Sequence, residues 1–227
     1  MLALILSIAL FVAEPVADTT YRQEREEMVR TQIEARGVTD PAVLRAMRSV
    51  PRHAFVPGWP PVLAYLDQPL PIGHGQTISQ PFIVAYMTAL AEPDPDDRAL
   101  EVGTGSGYQA AVLAEVVDSV YTIEIVPELA DSAAARLERL GYDNVVVRTG
   151  DGYAGWPERA PFDVVLVSAA PERIPPPLVE QLAEGGRMVI PIGPEGETQQ
   201  LMLVTKENGE VKRHRLTPVR FVPFQRK

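Results

Sequence analysis

The sequence Leu-Glu-Val-Gly-Thr-Gly-Ser-Gly, residues 100–107, decides the fold of this chain. Its alternate glycines (Gly103, Gly105 and Gly107) follow an apolar segment and precede a helical one, residues 108–116. A strand that turns directly into a helix needs residues without a Cβ, because the turn takes positive φ angles and a ligand can then approach the backbone. The pattern predicts a strand–turn–helix unit with a binding site at the turn. The alternative is a tight turn whose glycines serve only packing.

Two acids accompany the glycines. Glu101 stands near the end of the first strand, and Glu124 ends the next apolar segment, about where a Rossmann-type fold places its ribose-binding carboxylate. The G-x-G-x-G spacing differs from the G-x-G-x-x-G of dinucleotide sites, and the carboxylate of Glu101 would repel a pyrophosphate. The pattern therefore favours a nucleoside without a pyrophosphate, with S-adenosylmethionine as the candidate cofactor, and disfavours a nicotinamide-dependent oxidoreductase.

Composition excludes several classes of function. The chain has 227 residues, enough for one well-buried domain with an appendage, and its net charge of −9 gives no general attraction for nucleic acid or an anionic membrane. There is no cysteine, and the three histidines form no H-x-x-x-H pair, so no metal site is expected. We expect a monomer without nucleic-acid partners or stable membrane association.

Residues 1–20 form an apolar N-terminal extension. The apolar run of twelve residues, 2–13, is too short to span a bilayer but matches the core of a signal peptide. No Lys or Arg precedes them, and no Ala-x-Ala follows before Tyr21. The expectation is a cytoplasmic protein; export is the alternative, and a disordered extension or a misassigned start codon would also explain the segment.

The rest of the chain, 21–227, is expected to form a single domain: a helical and substrate-loop region over 21–98 and a Rossmann-like core over 99–227. Alternating strands and helices predict an α/β fold, a doubly wound and mostly parallel sheet with an antiparallel C-terminal finish. A solvated helix is expected over 18–36, an irregular stretch over 51–81, and a short helix over 175–182 before a strand over 187–192. Residues 201–204 and 220–224 are expected to finish the sheet.

Three strand ends converge in such a sheet, because ligands lie outside the carboxyl ends of the strands. The convergence gathers Glu101, the glycine turn with Thr104, Glu124, and Asp151 with Gly152. The carboxylate of Asp151 could accept a hydrogen bond from the exocyclic amine of an adenine. A plain turn residue before Gly152 is the alternative for Asp151.

Several stretches resemble the protein-L-isoaspartate O-methyltransferase family. They are residues 75–81 (Gly-Gln-Thr-Ile-Ser-Gln-Pro), 101–107, 150–152 (Gly-Asp-Gly), 160–163 (Ala-Pro-Phe-Asp) and 220–223 (Arg-Phe-Val-Pro), in order over most of the chain. The glycine motif alone indicates a class I methyltransferase; the 75–81 stretch is far more specific. The resemblance implies methyl transfer from S-adenosylmethionine to the α-carboxylate of isoaspartyl residues in damaged proteins, with repair through a succinimide.

The resemblance also implies roles for individual residues. Ser79 matches the family's active-site serine, Thr77 lies beside it, and Val222 would line the peptide groove. Capping of the helix that follows is the alternative role for Ser79. The family often has Tyr or His at position 82, so Phe82 is expected to be a wall of the cofactor pocket.

The expected reaction needs few catalytic groups from the protein. A carboxylate is already ionised at neutral pH, so no general base is needed, and catalysis should come from positioning in a site closed to water. Two rival functions remain at this point. One is a class I methyltransferase for a small-molecule carboxylate, and the other is a non-catalytic nucleoside-binding interaction module.

Overall fold

The computed structural model describes residues 21–56 and 58–226. The predicted N-terminal extension, residues 1–20, lies outside the described residues. A hairpin of two short strands, β1 and β2, precedes a sheet of seven strands, β3 to β9. In chain order the strands are β1 Leu70–Gly73, β2 Gln76–Ile78, β3 Arg98–Val102, β4 Ser119–Glu124, β5 Val145–Thr149, β6 Phe162–Val167, β7 Leu182–Ile192, β8 Gln199–Glu207 and β9 Glu210–Val219.

The large sheet is doubly wound, as predicted. Its strand order is β5-β4-β3-β6-β7-β8-β9; the first five strands are parallel to their neighbours, and β8 and β9 are antiparallel. The chain moves outward from β3 to β5 on one side and then returns to place β6 on the other side of β3. The strand order therefore reverses at β3, and the carboxyl ends of β3 and β6 form the crevice where an open α/β sheet binds ligands.

Helices cover both faces of the sheet. They are α1 Arg22–Met28, α2 Pro41–Ser49, α3 Pro81–Leu90, α4 Tyr108–Ala114, α5 Pro127–Arg139 and α6 Pro176–Glu180. Successive strand residues point to opposite faces. In β6, Val164 and Leu166 join the core beneath the N-terminal helices, whereas Val165 and Val167 join the core of the other face. This double burial explains why the β6 sequence is almost wholly apolar.

The N-terminal region is less exposed than its composition suggests. The expected helix over 18–36 is α1, followed by a π-helical turn Val29–Ile33 and a 3₁₀ turn Glu34–Arg36, and it ends at Gly37 with φ 92°. The expectation of a solvated helix is wrong for its inner face, because Met28, Val29 and Ile33 are fully buried. Few apolar residues are needed there, since Met28, Val29 and Ile33 all face the core.

Three other expectations need correction. The β7 strand begins at Leu182 rather than at 187, because residues 183–186 form a bulge between the pairs Phe162–Leu182 and Val164–Arg187. Residues 220–224 are not a strand; Pro223 makes a single bridge to Ala170. The stretch 51–81 is not wholly irregular, since it contains the β1–β2 hairpin and two 3₁₀ turns. Within the described ranges, no helix is long and apolar enough to cross a membrane.

Candidate active site

A cavity opens at the carboxyl ends of β3, β4 and β6. Among the described residues that line it, the charged side chains are Glu101 and Glu124, with no Lys, Arg or His. A cavity lined by these two acids favours a ligand that carries cationic and hydroxyl groups. Four other predicted cofactor residues also line this cavity, here called the acidic cavity: Gly103, Thr104, Gly105 and Gly152.

The glycine turn and Glu124 form one hydrogen-bonded unit. All three glycines have positive φ, at 98°, 53° and 89° for Gly103, Gly105 and Gly107. The backbone N–H of Gly105 donates to Glu124 Oε2 at 2.8 Å, and that of Val126 donates to Oε1 at 3.0 Å. These bonds hold the carboxylate at the end of β4 while leaving it lone pairs for further donors. Glu124 is thus preorganised as an acceptor.

Glu101 is fully buried beneath the glycine turn. Burial raises the pKa of its carboxyl group from 4.5 to about 8. Two smaller effects oppose each other, since the hydrogen bond from Thr122 lowers the pKa and the charge of Glu124 raises it. The Thr122 hydroxyl donates to Oε2 at 2.6 Å, whereas Oε1 has no hydrogen-bond partner in the described chain. A buried acceptor without a donor is costly. Its position on the cavity wall fits a donor supplied by a ligand.

Two predicted cofactor residues are not among the described residues that line the acidic cavity. Gly107 is the N-cap of α4, and a Cβ on it would lie 3.3 Å from the side chain of Leu137, so it serves helix packing. The carboxylate of Asp151 accepts from the backbone N–H of Tyr153 at 3.0 Å and from Arg226 Nε at 2.9 Å. Asp151 therefore stabilises the turn after β5.

A second concavity, the groove, runs between the N-terminal region and the end of β9. Four residues line both the groove and the acidic cavity: Thr77, Ser79, Ser168 and Val222. The structure therefore brings the three predicted substrate residues together at the junction of the two spaces. Ser168, at the end of β6, also lines the junction. It follows directly on a buried strand, at the edge of the sheet where ligands bind.

The hydroxyl of Ser79 is free, since helix α3 is capped by another residue. Gln80 is the N-cap of α3, and Asp67 Oδ1 accepts from the backbone N–H of Phe82 at 3.2 Å. Within the described chain, Ser79 Oγ makes no hydrogen bond, whereas the Ser79 carbonyl accepts from Arg52 Nη2 at 2.7 Å. Arg52 is fully buried, so the Ser79 backbone is fixed from inside the protein. The capping role is wrong for Ser79.

The backbone of Val222 also has a free donor. The carbonyl of Val222 accepts from the N–H of Ala170 at 2.9 Å, which ties residues 222–224 to the end of β6. The N–H of Phe221 donates to Gln199 Oε1 at 2.9 Å. No described residue accepts from the N–H of Val222. This donor stands at the junction with the hydroxyls of Ser79 and Ser168.

Phe82 is not a wall of the acidic cavity, so that expectation is wrong. Its ring packs against Tyr86, with centroids 5.4 Å apart, and beneath the guanidinium of Arg36 at 3.4 Å. Arg36 also pairs with Asp67 at 2.6 Å. The aromatic residue at this position therefore helps to hold a cation that lines the groove.

The fold and the acidic cavity define a class of protein, the S-adenosylmethionine-dependent methyltransferases. The structure superposes on a solved protein-L-isoaspartate O-methyltransferase with a TM-score of 0.80 and 31% identity, over 88% of this chain and 65% of that one. A Plasmodium falciparum protein assigned to the same enzyme and solved with S-adenosyl-L-homocysteine gives a TM-score of 0.77 and 29% identity, over 88% of this chain and 98% of that one.

Sequence comparison identifies the family within that class. The model of the protein-L-isoaspartate(D-aspartate) O-methyltransferase family matches residues 23–227. The protein-L-isoaspartate O-methyltransferase of Opitutus terrae is 59% identical over 100% of this chain and 96% of its own length. That of Gloeobacter violaceus is 58% identical over 88% of this chain and 97% of its own length. The chain belongs to the protein-L-isoaspartate(D-aspartate) O-methyltransferase family.

Proposed function

We propose that the chain transfers a methyl group from S-adenosylmethionine to the α-carboxylate of L-isoaspartyl residues in damaged proteins and peptides. The observation that carries the proposal is the meeting of two spaces of opposite charge. Among the described residues, the acidic or basic side chains that line the acidic cavity are two acids, Glu101 and Glu124, and those that line the groove are two arginines, Arg36 and Arg220. A cationic methyl donor and an anionic acceptor would each be attracted to its own side.

The acidic cavity fits S-adenosylmethionine, which supplies an activated methyl group when bound. The glycine turn leaves room for the ligand, and Glu124 accepts hydrogen bonds from ribose hydroxyls. The unpartnered oxygen of Glu101 is matched to a cationic donor such as an ammonium group. Asp151, which follows β5, would accept a hydrogen bond from the adenine amine.

The junction residues would orient the acceptor. Ser79 Oγ, Ser168 Oγ and the N–H of Val222 are donors without partners in the described chain. Together they can bind one carboxylate oxygen and leave the other directed toward the acidic cavity. The carboxylate is ionised at neutral pH, so these residues need not remove a proton. Their contribution is orientation in a site closed to water.

Methylation activates the carboxyl group for repair. A methyl ester carbonyl is open to attack by the backbone nitrogen of the following residue, which forms a succinimide and releases methanol. Water then opens the succinimide at either carbonyl, and one of the two products is a normal aspartyl residue. Because these later steps need no further residue of the site, the protein completes its part when the ester leaves the groove.

The remaining expectations about the whole protein belong to the same proposal. We infer that residues 21–227 act as one domain and as a monomer in the cytoplasm, where S-adenosylmethionine is made. The net charge of −9 argues against nucleic-acid partners.

Methyl transfer to two matched peptides tests the function. One peptide carries an L-isoaspartyl residue and the other an aspartyl residue at the same position, and both are incubated with S-adenosylmethionine labelled in its methyl group. The proposal predicts a base-labile label on the isoaspartyl peptide alone. Equal labelling of both peptides would contradict it. Binding of the cofactor without label on either peptide would favour the non-catalytic module, and labelling of only small carboxylates would favour the other rival.

A further inference from the structure

We propose that Arg220 makes the groove selective for isoaspartyl peptides that carry a second negative charge next to the isoaspartyl residue. The inference rests on the proposed function and concerns its substrate preference. It starts from the charges of the groove. Two arginines, Arg36 and Arg220, line it, and no Asp or Glu is among the described lining residues. The chain as a whole has 30 acidic and 21 basic residues, so this local excess of positive charge opposes the overall balance.

The two arginines differ in how far they are neutralised. Arg36 pairs with Asp67 at 2.6 Å, and its guanidinium lies over the ring of Phe82. Arg220 is exposed and has no ion pair, hydrogen bond or ring contact among residues 21–56 and 58–226. The charge of Arg220 is therefore available to a ligand in the groove, whereas that of Arg36 is already balanced.

The position of Arg220 relative to the junction defines what it can reach. It precedes Phe221 and Val222, and Val222 lines the junction where the isoaspartyl carboxylate is held. A peptide whose isoaspartyl residue sits at the junction extends along the groove, so a neighbouring side chain passes close to Arg220. A carboxylate on that side chain gains a charge-assisted contact. The acidic cavity repels the same carboxylate, which favours the groove as its place.

The expected size of the preference for a neighbouring carboxylate follows from the exposure of Arg220. An exposed ion pair is weak, and its contribution corresponds to about a two- to fivefold change in an equilibrium or rate constant. Salt should reduce it, because the Debye length falls from about 10 Å at 0.1 M to about 3 Å at 1 M ionic strength. The preference should therefore appear in kcat/KM at low salt and shrink at high salt.

A peptide series tests the proposal in the full chain. In each isoaspartyl peptide, one of the two positions that flank the isoaspartyl residue, the one before it or the one after it, carries Glu, Gln or Lys. At one position or more, the wild type should prefer Glu over Gln by about two- to fivefold in kcat/KM. The ratio should fall to about one in Arg220→Gln. In Arg220→Glu the order should reverse, with Lys preferred. Arg213→Gln is the matched control, since Arg213 is an exposed arginine of β9 that does not line the groove, and it should keep the wild-type ratio.

The outcomes separate this proposal from the proposed function. Methylation of the isoaspartyl peptides without a preference for Glu at any position would overturn the role of Arg220 and leave the function standing. A preference that persists in Arg220→Gln would also overturn it. If the wild type methylated none of the peptides, the proposed function itself would fail, and this inference with it.

Discussion

Ser79 combines a fixed backbone with a free hydroxyl. Arg52 binds its carbonyl from the buried side, and Asp67 takes over the capping of α3 that the sequence assigned to Ser79 as an alternative. The hydroxyl of Ser79 takes no part in capping the helix and lies at the junction of the acidic cavity and the groove. It is therefore well placed to bind substrate. The sequence motif could identify Ser79 as a candidate site residue. It could not show that Asp67 caps α3 in place of Ser79, because Asp67 is distant in the chain.

Replacement of Ser79 by Ala should lower kcat/KM for an isoaspartyl peptide by about 10- to 100-fold, because a hydrogen bond to a charged group is worth about 1.5–3 kcal/mol. The dissociation constant of S-adenosyl-L-homocysteine should change by less than about twofold, since the hydroxyl faces the acceptor. Initial rates and calorimetric titration measure the two quantities. Ser119→Ala, at the opposite end of β4, is the control and should leave both unchanged. An unaltered kcat/KM in Ser79→Ala would contradict the assigned role.

Glu101 should make stability depend on pH. Its carboxyl group ionises near pH 4.5 when unfolded but keeps its proton to about pH 8 in the fold. Between these values unfolding releases a proton, so the stability contributed by Glu101 falls as pH rises, by up to about 1.4 kcal/mol per pH unit. Glu101→Gln cannot ionise. Its free energy of unfolding should therefore increase relative to wild type from pH 5 to pH 8, as measured by urea denaturation without ligand. If the free energy of unfolding changed with pH in the same way in both proteins, the raised pKa of Glu101 would be ruled out.

At the scale of elements, the turn after β5 must pass close to β3. Gly152 lies in this turn, and a Cβ on it would overlap Val102 Cγ1. Gly150 is nearby, and a Cβ there would meet its nearest atoms at 3.7 Å, an ordinary contact. The two glycines look alike in the sequence. The approach of the turn to β3 arises from the sheet, so sequence alone could not distinguish them.

Gly152→Ala should destabilise the fold by about 1–3 kcal/mol, the usual cost of overpacking a tight interior. Gly150→Ala should change stability by less than about 0.5 kcal/mol, as for a substitution with room around it. Urea denaturation of both variants provides the comparison. Equal stabilities of the two variants would mean that the turn after β5 does not pack tightly on β3.

The parallel part of the sheet was predictable because each strand carries a clear signal. Runs such as 162–167 are almost wholly apolar, and glycines or acids mark their ends. The start of β7 and the conformation of 220–224 were not predictable. A bulge lets β7 continue through two glycines. The carbonyl of Val222 accepts a hydrogen bond from the N–H of Ala170, and Val222 has no partner in a strand ladder of the described chain. Both features depend on neighbours that local sequence does not show.

At the scale of the whole molecule, one hydrophobic core joins the N-terminal region to the sheet. Met28 and Met47 from the first helices belong to the same cluster as Leu166 and Val189 from the sheet. The site uses both parts, because Ser79 precedes α3 while Glu101 ends β3. Sequence patterns predicted each part, but the two-cavity arrangement and its opposite charges emerged only when distant segments were brought together.

A ligand of the acidic cavity should therefore stabilise the whole described fold. S-adenosyl-L-homocysteine at 100 times its dissociation constant should raise the free energy of unfolding by about 2.7 kcal/mol, in a single transition. NAD at the same concentration should have no effect, since its pyrophosphate would face the carboxylate of Glu124. Thermal unfolding followed by circular dichroism measures both. Stabilisation by NAD would contradict the cofactor assignment.

The most direct test of the account is a crystal structure of the protein with S-adenosyl-L-homocysteine and an isoaspartyl peptide bound together. The account predicts the cofactor product in the acidic cavity and the peptide in the groove. The isoaspartyl α-carboxylate should lie about 3 Å from both Ser79 Oγ and the N–H of Val222, the distance of a hydrogen bond. A carboxylate bound away from the junction, or a peptide outside the groove, would contradict it.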